Sequence, residues 1–315
     1  MASTTVPSLP LEQLAQPKSR TPWQGVVRRL VRHRSAQVGS LVLGLLVFIA
    51  IFAPLIAPYN PIQILKDEKR RTPPCIHLLG CPVDQPQHIM GLDGNSRDLF
   101  SRVIFGARLS LLIGITTVTA AILIGTTLGG FSGYMGGWAD NIIMRTMDVL
   151  LAFPSLLLAI SIVSTRPPEE GFGLIYALMA ISFVSIPVYA RIMRASVLQV
   201  KEQDFVVASR ALGASPLVLM GRHILPNALT PLIVQGTLGI ATAILEAAAL
   251  SFLGLGAEKP TPEWGLMLGE ERNSVFTAPY LVFFPGIAIA LTVLSFNLIG
   301  DGLRDALDPR LSNVS

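Results

Sequence analysis

The chain has 315 residues, 51% of them hydrophobic and 14% charged, against about 25% charged in an ordinary soluble domain. With a mean hydropathy of +0.58, that balance excludes a soluble globular enzyme and describes a chain that crosses a membrane repeatedly. The net charge of +4 calls for no nucleic acid, and two cysteines are too few for a disulfide-built fold.

Residues 1–22 are polar and proline-rich, which predicts a disordered cytoplasmic tail rather than a cleaved signal peptide. Over 23–36, Trp23, Val26, Val27, Leu30 and Val31 fall on one helical face. Arg28, Arg29, Arg32 and Arg34 fall on the other. The pattern predicts an amphipathic helix in the headgroup region, held by anionic membrane lipid. A nucleic-acid-binding arm carries similar charges, but this one runs straight into an apolar span.

A helical span needs about 20 apolar residues. Segments near 38–58, 107–132, 141–163, 172–193, 227–256 and 280–302 qualify. The expectation is an all-α, polytopic bundle of six transmembrane helices within 37–311. An even count puts both termini on one side, and the arginine-rich start assigns that side to the cytoplasm. The loop 59–106 is then extracytoplasmic and the segment 194–226 cytoplasmic. Lys66, Lys69, Arg70 and Arg71 sit on the outer loop, but long loops translocate with little regard to charge.

Cys75, His77, Cys81 and His88 share that outer loop. Three readings stand: a Cys75–Cys81 disulfide in an oxidising compartment, thiol and imidazole ligands for a transition metal, or two idle thiols. Asp93, Arg97, Asp98 and Arg102 follow, and their paired charges predict a capped, water-facing entry to the second span.

That span carries Gly125, Gly129, Gly133 and Gly137 in one row, the spacing that lets helices approach closely; the alternative for the last two is a place in the turn, since Gly136-Gly137-Trp138 has the composition of a loop. Its Gly130-Phe-Ser132-Gly133 matches a serine-protease motif of membrane enzymes. Such a serine needs a histidine base, and His33, His77, His88 and His223 all lie outside the spans. Intramembrane proteolysis is therefore excluded. Asp140, Arg145 and Asp148 open the third span as structural charges, and Pro154 and Pro187 are expected to kink their helices.

Residues 203–227 read as helix, glycine break, helix. Val206, Val207, Arg210 and Ala211 hold helical spacing up to Gly213. Ser215 stands at an N-cap position with Pro216 after it. Leu217, Met220 and Ile224 continue the period until Pro226, expected to stop it. Two short helices at a fixed angle make a rigid knuckle suited to receiving force. In the fifth span Glu246 is costly unless it faces the interior, a cavity or a partner. It is either a residue of the substrate path or a helix-packing contact. In Pro260-Thr-Pro-Glu-Trp264-Gly265, prolines and tryptophan predict a stiff loop or short re-entrant segment at the interface.

The knuckle resembles the cytoplasmic coupling loop of ATP-binding-cassette importer permeases: Glu-Ala-Ala, three residues, Gly, nine residues, an apolar position, any residue, Leu-Pro. Gly213 and Leu225-Pro226 match; Val207 stands at the glutamate, Ser209 at the second alanine and His223 at the apolar position. Gly91–Arg102, with Leu92 and Ser96 departing, is similar to the signature before the second span of peptide permeases. Leu250–Gly256, Pro260–Gly265 and Phe284–Arg310 resemble further signatures of the peptide and nickel permease family, and Ala211–Ser215 with Arg222–Asn227 resembles its second (C-type) subunit.

The resemblance implies a type I importer transmembrane domain that translocates peptides by alternating access. It assigns contact with the ATPase to Val207, Ala208, Ser209, Arg210, Ala211, Leu212, Gly213, Ala214, Ser215 and Pro216. Lys18, Lys66, Lys69, Lys201 and Lys259 are the lysines and none follows a glycine, so no Walker A motif is present and ATP must bind another chain. The implied partners are a second homologous permease in a heterodimer, two cytoplasmic ATPase subunits and an extracytoplasmic solute-binding protein, at the bacterial inner membrane. No bond chemistry, cofactor, metal or nucleic acid is called for. The competing reading is an ion-coupled secondary transporter with Glu246 as its ion site; inverted repeats, its usual mark, are not evident.

Overall fold

The computed structural model describes residues 27–307 apart from 28, 83 and 166–171. The expected tail over 1–22, the start of the amphipathic stretch (23–26) and the end of the last signature (308–310) lie outside the described residues. In chain order the main helices are α1 (Arg34–Ile51), α2 (Leu99–Met135), α3 (Gly137–Leu151), α4 (Ser155–Val163), α5 (Gly173–Val200), α6 (Asp204–Ala211), α7 (Thr230–Phe252), α8 (Trp264–Glu271) and α9 (Tyr280–Leu307). Extended pairing among the described residues is confined to two isolated bridges, Cys75 with His88 and Leu92 with Asp98. Before α1, Val27, Arg29, Val31 and Arg32 are all exposed, so the protein itself covers neither face of the stretch.

Helices α1, α2, α5, α7 and α9 are each long and apolar enough to cross a membrane; α3 and α4 together make a sixth candidate, bent by 89°. The third span is therefore a broken one. Pro154 has no N–H, its ring obstructs the carbonyl four residues back, and it drives Phe153 out of the helical region. α3 closes with the Ala152 N–H on Asp148 O at 3.1 Å, and Pro154 stands at the N-cap of α4. Pro187, expected to kink its helix, lies inside α5, which is one continuous helix.

The centre of the bundle is the α2–α5 contact, and the glycine row makes it. A Cβ added at Gly125 would lie 2.7 Å from Tyr189 Cβ, one at Gly129 would strike the Ala190 carbonyl, and one at Gly133 would lie 2.9 Å from Arg194 O. Backbones meet where side chains are missing. Gly137, fourth in the spacing, has nothing within 4 Å and φ +58°: it serves the turn into α3. Outward-facing side chains stay apolar, with Leu41, Leu45, Leu55, Leu123 and Met179 all exposed. That is the surface a hydrocarbon solvent selects.

The bundle has two distinct ends. At the start of α2, the segment 57–98 folds down onto α8, forming the loop end. At the other, α2 and α5 finish together beside α6, forming the knuckle end. The chain runs from the knuckle end through α3 and α4 back to the loop end, where the Gly173 N–H donates to Glu258 Oε1 at 3.2 Å. The broken pair thus completes a sixth crossing. α1 starts at the knuckle end beside the close of α9, where His33 Nε2 pairs with Asp305 Oδ2 at 3.1 Å.

The loop end is built on buried charge. Arg97 donates to Asp93 Oδ2 at 2.7 Å and to Glu270 Oε2 at 2.9 Å, and Arg102 reaches the same Glu270 oxygen at 3.1 Å. Glu270 Oε1 makes no hydrogen bond but has Lys259 Nζ at 3.6 Å. Glu271 accepts from the Gly94 N–H at 2.7 Å and from Arg71 at 3.3 Å. Asp98 caps α2 by accepting from the Ser101 N–H at 2.8 Å, and its other oxygen lies 3.1 Å from His88 Nδ1.

The cap was expected, and so was exposure to water; the burial was not. Asp93, Arg97, Asp98 and Arg102 are each 1–3% exposed, because α8 covers them with its own carboxylates. Trp264, expected at a lipid interface, is buried too. Its Nε1 donates to Val103 O at 2.9 Å, and its ring occupies the space that Gly106 leaves open.

Candidate functional site

The knuckle is the first of two candidate sites. α6 has Asp204 in its first turn and Arg210 in its last, both signs suited to the helix dipole. It ends on Gly213 at φ +85°, with the Ala214 N–H on Ser209 O at 3.1 Å and the Gly213 N–H on Arg210 O at 3.0 Å. Those two bonds are the pair of a Schellman cap, which requires a left-handed residue at Gly213. Ser215 occupies the N-cap position of the next helix with extended backbone and Pro216 follows it, but its hydroxyl makes no capping bond.

The second arm differs from expectation. Pro216–Val218 leads into a π-helix, Leu219–Ile224, and then Leu225–Ala228. Pro226 does not stop the helix. The widened π turn precedes it and absorbs the missing N–H and the ring. Val206, Leu219 and Ile224 form the buried root with Met193, Val197 and Val200 of α5 and Leu232 of α7. Leu217, expected on the continuing face, is 86% exposed and Leu212 89%. Val207, Ala208, Arg210, Ala211, Gly213, Ser215 and Pro216 are exposed with them, and Ser209 and Ala214 are half-buried. The knuckle is an apolar tip on an apolar root.

Ion pairs bind this root to α3. Arg194 holds Asp140 through two bonds of 2.5 Å, and Ser132, the candidate protease serine, donates to the same carboxylate at 2.5 Å. Arg191 pairs with Asp148, and Lys201 Nζ donates to Gly133 O at 3.2 Å. Of the opening charges of the third span, Asp140 and Asp148 are structural, with partners on α5 rather than on Arg145.

The second site is a cavity of about 220 Å³ at the α3–α4 break, bounded by Phe153, Ser155, Tyr189, Gln235, Thr242 and Glu246 among others. Glu246 Oε1 accepts from Ser155 Oγ at 2.9 Å. Glu246 thus touches a neighbouring helix and faces a cavity at once. Sequence reasoning found Glu246 but missed Ser155, Tyr189, Gln235 and Thr242. The one available signal was Pro154, since a helix broken inside a bundle leaves space beside it.

Cys75 and Cys81 are bonded to each other, with Cα atoms 5.5 Å apart. The Cys75–His88 bridge ties that small loop to the ring beside Asp98. Among the described residues no cluster of metal-ligating side chains forms.

A six-crossing helical bundle with a mid-bundle cavity and a protruding knuckle defines a polytopic membrane permease. The chain belongs to the family described as binding-protein-dependent transport system inner membrane component, which matches residues 125–313; the N-terminal transmembrane domain of oligopeptide transport permease C matches residues 21–74. It is 45% identical to the dipeptide transport system permease protein DppC of Alkalihalophilus pseudofirmus, over 93% of this chain and 91% of that one. Identity is 47% to the di/tripeptide transport system permease protein DppC of Pseudomonas aeruginosa, over 93% and 92%. It is 44% to the glutathione transport system permease protein GsiD of Escherichia coli, also over 93% and 92%.

Among solved structures, an inward-facing MetNI methionine ABC transporter superposes with a TM-score of 0.55 at 17% identity, covering 66% of this chain and 97% of that one. That likeness is one of fold alone. The chain is a permease subunit of an ATP-binding-cassette importer, and the ion-coupled alternative falls away.

Proposed function

We propose that this chain forms half of a path by which di- and oligopeptides enter a bacterial cell, driven by ATPases on separate chains through alternating access. The cargo is carried over from the dipeptide, di/tripeptide and glutathione permeases to which the chain is 44–47% identical. The complete machine holds a second homologous permease, two cytoplasmic ATPase subunits and an extracytoplasmic binding protein that delivers substrate. The permease breaks and makes no bonds. Both termini and the 194–226 knuckle face the cytoplasm, the loop end faces outward, and the helix before α1 lies among lipid headgroups.

The observation that carries the coupling assignment is the knuckle's construction. Its root is continuous with the apolar cluster joining α5 and α7, so a push on Leu212 or Leu217 moves two spans together. Val207, in place of the motif's glutamate, leaves apolar contact to do the docking.

The test is reconstitution. Liposomes holding both permeases and both ATPases, supplied with loaded binding protein, should accumulate peptide only with ATP. Gly213→Pro, whose ring fixes φ near −65°, should insert and assemble yet hydrolyse ATP without uptake. Normal uptake by that variant, or pumping by the permeases alone, would overturn the reading.

A further inference from the structure

The cavity at the α3–α4 break contains a charge that helix packing does not explain. Glu246 is the only charged residue in its wall, the rest being apolar or neutral polar groups such as Gln235 and Thr242. Its one hydrogen bond comes from Ser155 Oγ at 2.9 Å, a bond that a neutral glutamine would accept equally well. The arginines of the neighbouring α5 are taken: Arg194 belongs to Asp140 and Arg191 to Asp148. Among the described residues no ion pair is made to Glu246.

Anionic charge is tolerated there for a reason the fold supplies. Ser155 is the first residue of α4, so the carboxylate lies beside the N-terminal turn of a nine-residue helix, where the dipole favours negative charge. The environment that spares the anion gives it no countercharge. A carboxylate at the rim of a low-dielectric cavity attracts a mobile cation far more strongly than one in water. An ammonium has three donors, and Glu246 supplies the charged acceptor, with the Thr242 hydroxyl one helical turn away in the same wall.

We propose that Glu246 is a transient binding site for a primary ammonium group, and that the free N-terminus of the cargo pauses on it during passage. The identity of the bearer rests on the peptide-importer reading; the cation site itself does not. The site needs only low affinity, since a group that is to move on must also leave.

The experiment avoids the delivery protein, which selects substrate upstream. Thr242→Cys puts a thiol one helical turn from Glu246, in the same cavity wall. It is the one free thiol of this chain, because Cys75 and Cys81 are bonded to each other. In the assembled transporter in nanodiscs, modification by cationic aminoethyl methanethiosulfonate and by its neutral methyl analogue is followed by mass spectrometry of this chain.

Adding Glu246→Gln should lower the cationic-to-neutral rate ratio about tenfold, while Glu246→Asp should keep it. A dipeptide with a free N-terminus should protect against the cationic reagent with Glu or Asp present and fail with Gln. The N-acetylated dipeptide should not protect. The neutral reagent's rate checks that the cavity has kept its shape.

An unchanged ratio in the glutamine variant overturns the proposal, as does equal protection by the acetylated peptide. Failure of the peptide reading looks different: the wild-type complex with its delivery protein would show no ATP-dependent peptide uptake, whatever the rate ratio.

Discussion

The two ends of the bundle are held together by opposite means. At the loop end Asp93, Arg97, Arg102, Glu270 and Glu271 are each no more than 5–7% exposed at their side chains or residues, and a disulfide pins the segment above them. At the knuckle end the root is apolar and the tip is exposed, and the ion pairs that join the root to α3 are partly covered for Arg194–Asp140 and half in solvent for Arg191–Asp148. Buried ion networks tolerate little movement, because separating any member strands a charge. Apolar contacts are non-directional and allow sliding. The difference assigns a fixed platform to one end and a moving part to the other.

The sharpest test of the platform is Arg102, buried beneath both Glu270 and Asp93. Arg102→Met leaves two carboxylates with one guanidinium, and should destabilise the protein by about 3–5 kcal/mol. The measure is thermal unfolding of the purified permease in detergent, or failure to accumulate in membranes. A loss under 1 kcal/mol would mean that the network is a surface decoration and that the contrast between the ends is false.

The disulfide comes next. Removing a cross-link that closes so short a loop costs about 2 kcal/mol by the chain-entropy relation. Cys75→Ser with Cys81→Ser should lower the unfolding temperature and leave uptake per molecule unchanged at temperatures where the protein stays folded. Uptake lost without any change in stability would assign the small loop a direct role in transport.

What could be read from sequence divides along the same line. The spans and the knuckle's glycine break depend on local pattern: apolar runs, Gly213, the row Gly125–Gly129–Gly133. The platform depends on pairs far apart in the chain, Arg97 with Glu270 at a separation of 173 residues and Arg71 with Glu271 at 200. No window along the sequence contains both partners, so charges that read as water-facing are in fact covered. Pro154 and Pro226 mark the intermediate case. Each announces a disturbance, but whether the chain breaks by 89° or widens into a π turn is decided by the helices packed around it.

At the knuckle the expected stability effect is smaller and the functional effect larger. Leu212→Ser with Leu217→Ser alters side chains 89% and 86% exposed, so unfolding should change by no more than about 0.5 kcal/mol. Co-purification of the ATPases and ATP-driven uptake should both fall. Full coupling in this variant would move the contact away from the tip. A drop in stability comparable to that of Arg102→Met would erase the distinction between the two ends.

The smallest effect concerns Glu263, which caps α8 by accepting from the Gly265 N–H at 2.9 Å and the Leu266 N–H at 2.8 Å. Burial pushes its carboxyl above the ordinary range, and those two amides only partly offset the shift. A carboxyl whose folded pKa is raised binds its proton more tightly when folded. Its favourable contribution is therefore complete below the unfolded pKa, about 4.3, and is lost as pH rises through the folded value.

Glu263→Gln fixes the neutral form but gives up one of two acceptor oxygens, a cost independent of pH. The unfolding temperature of the glutamine variant relative to wild type should therefore climb as pH is raised from 4 to 7. A gap that instead falls as pH rises from 4 would mean that the two amides hold the carboxylate ionised throughout. The platform would then contain one more fixed negative charge, and α8 would be tied down by charge at both of its ends.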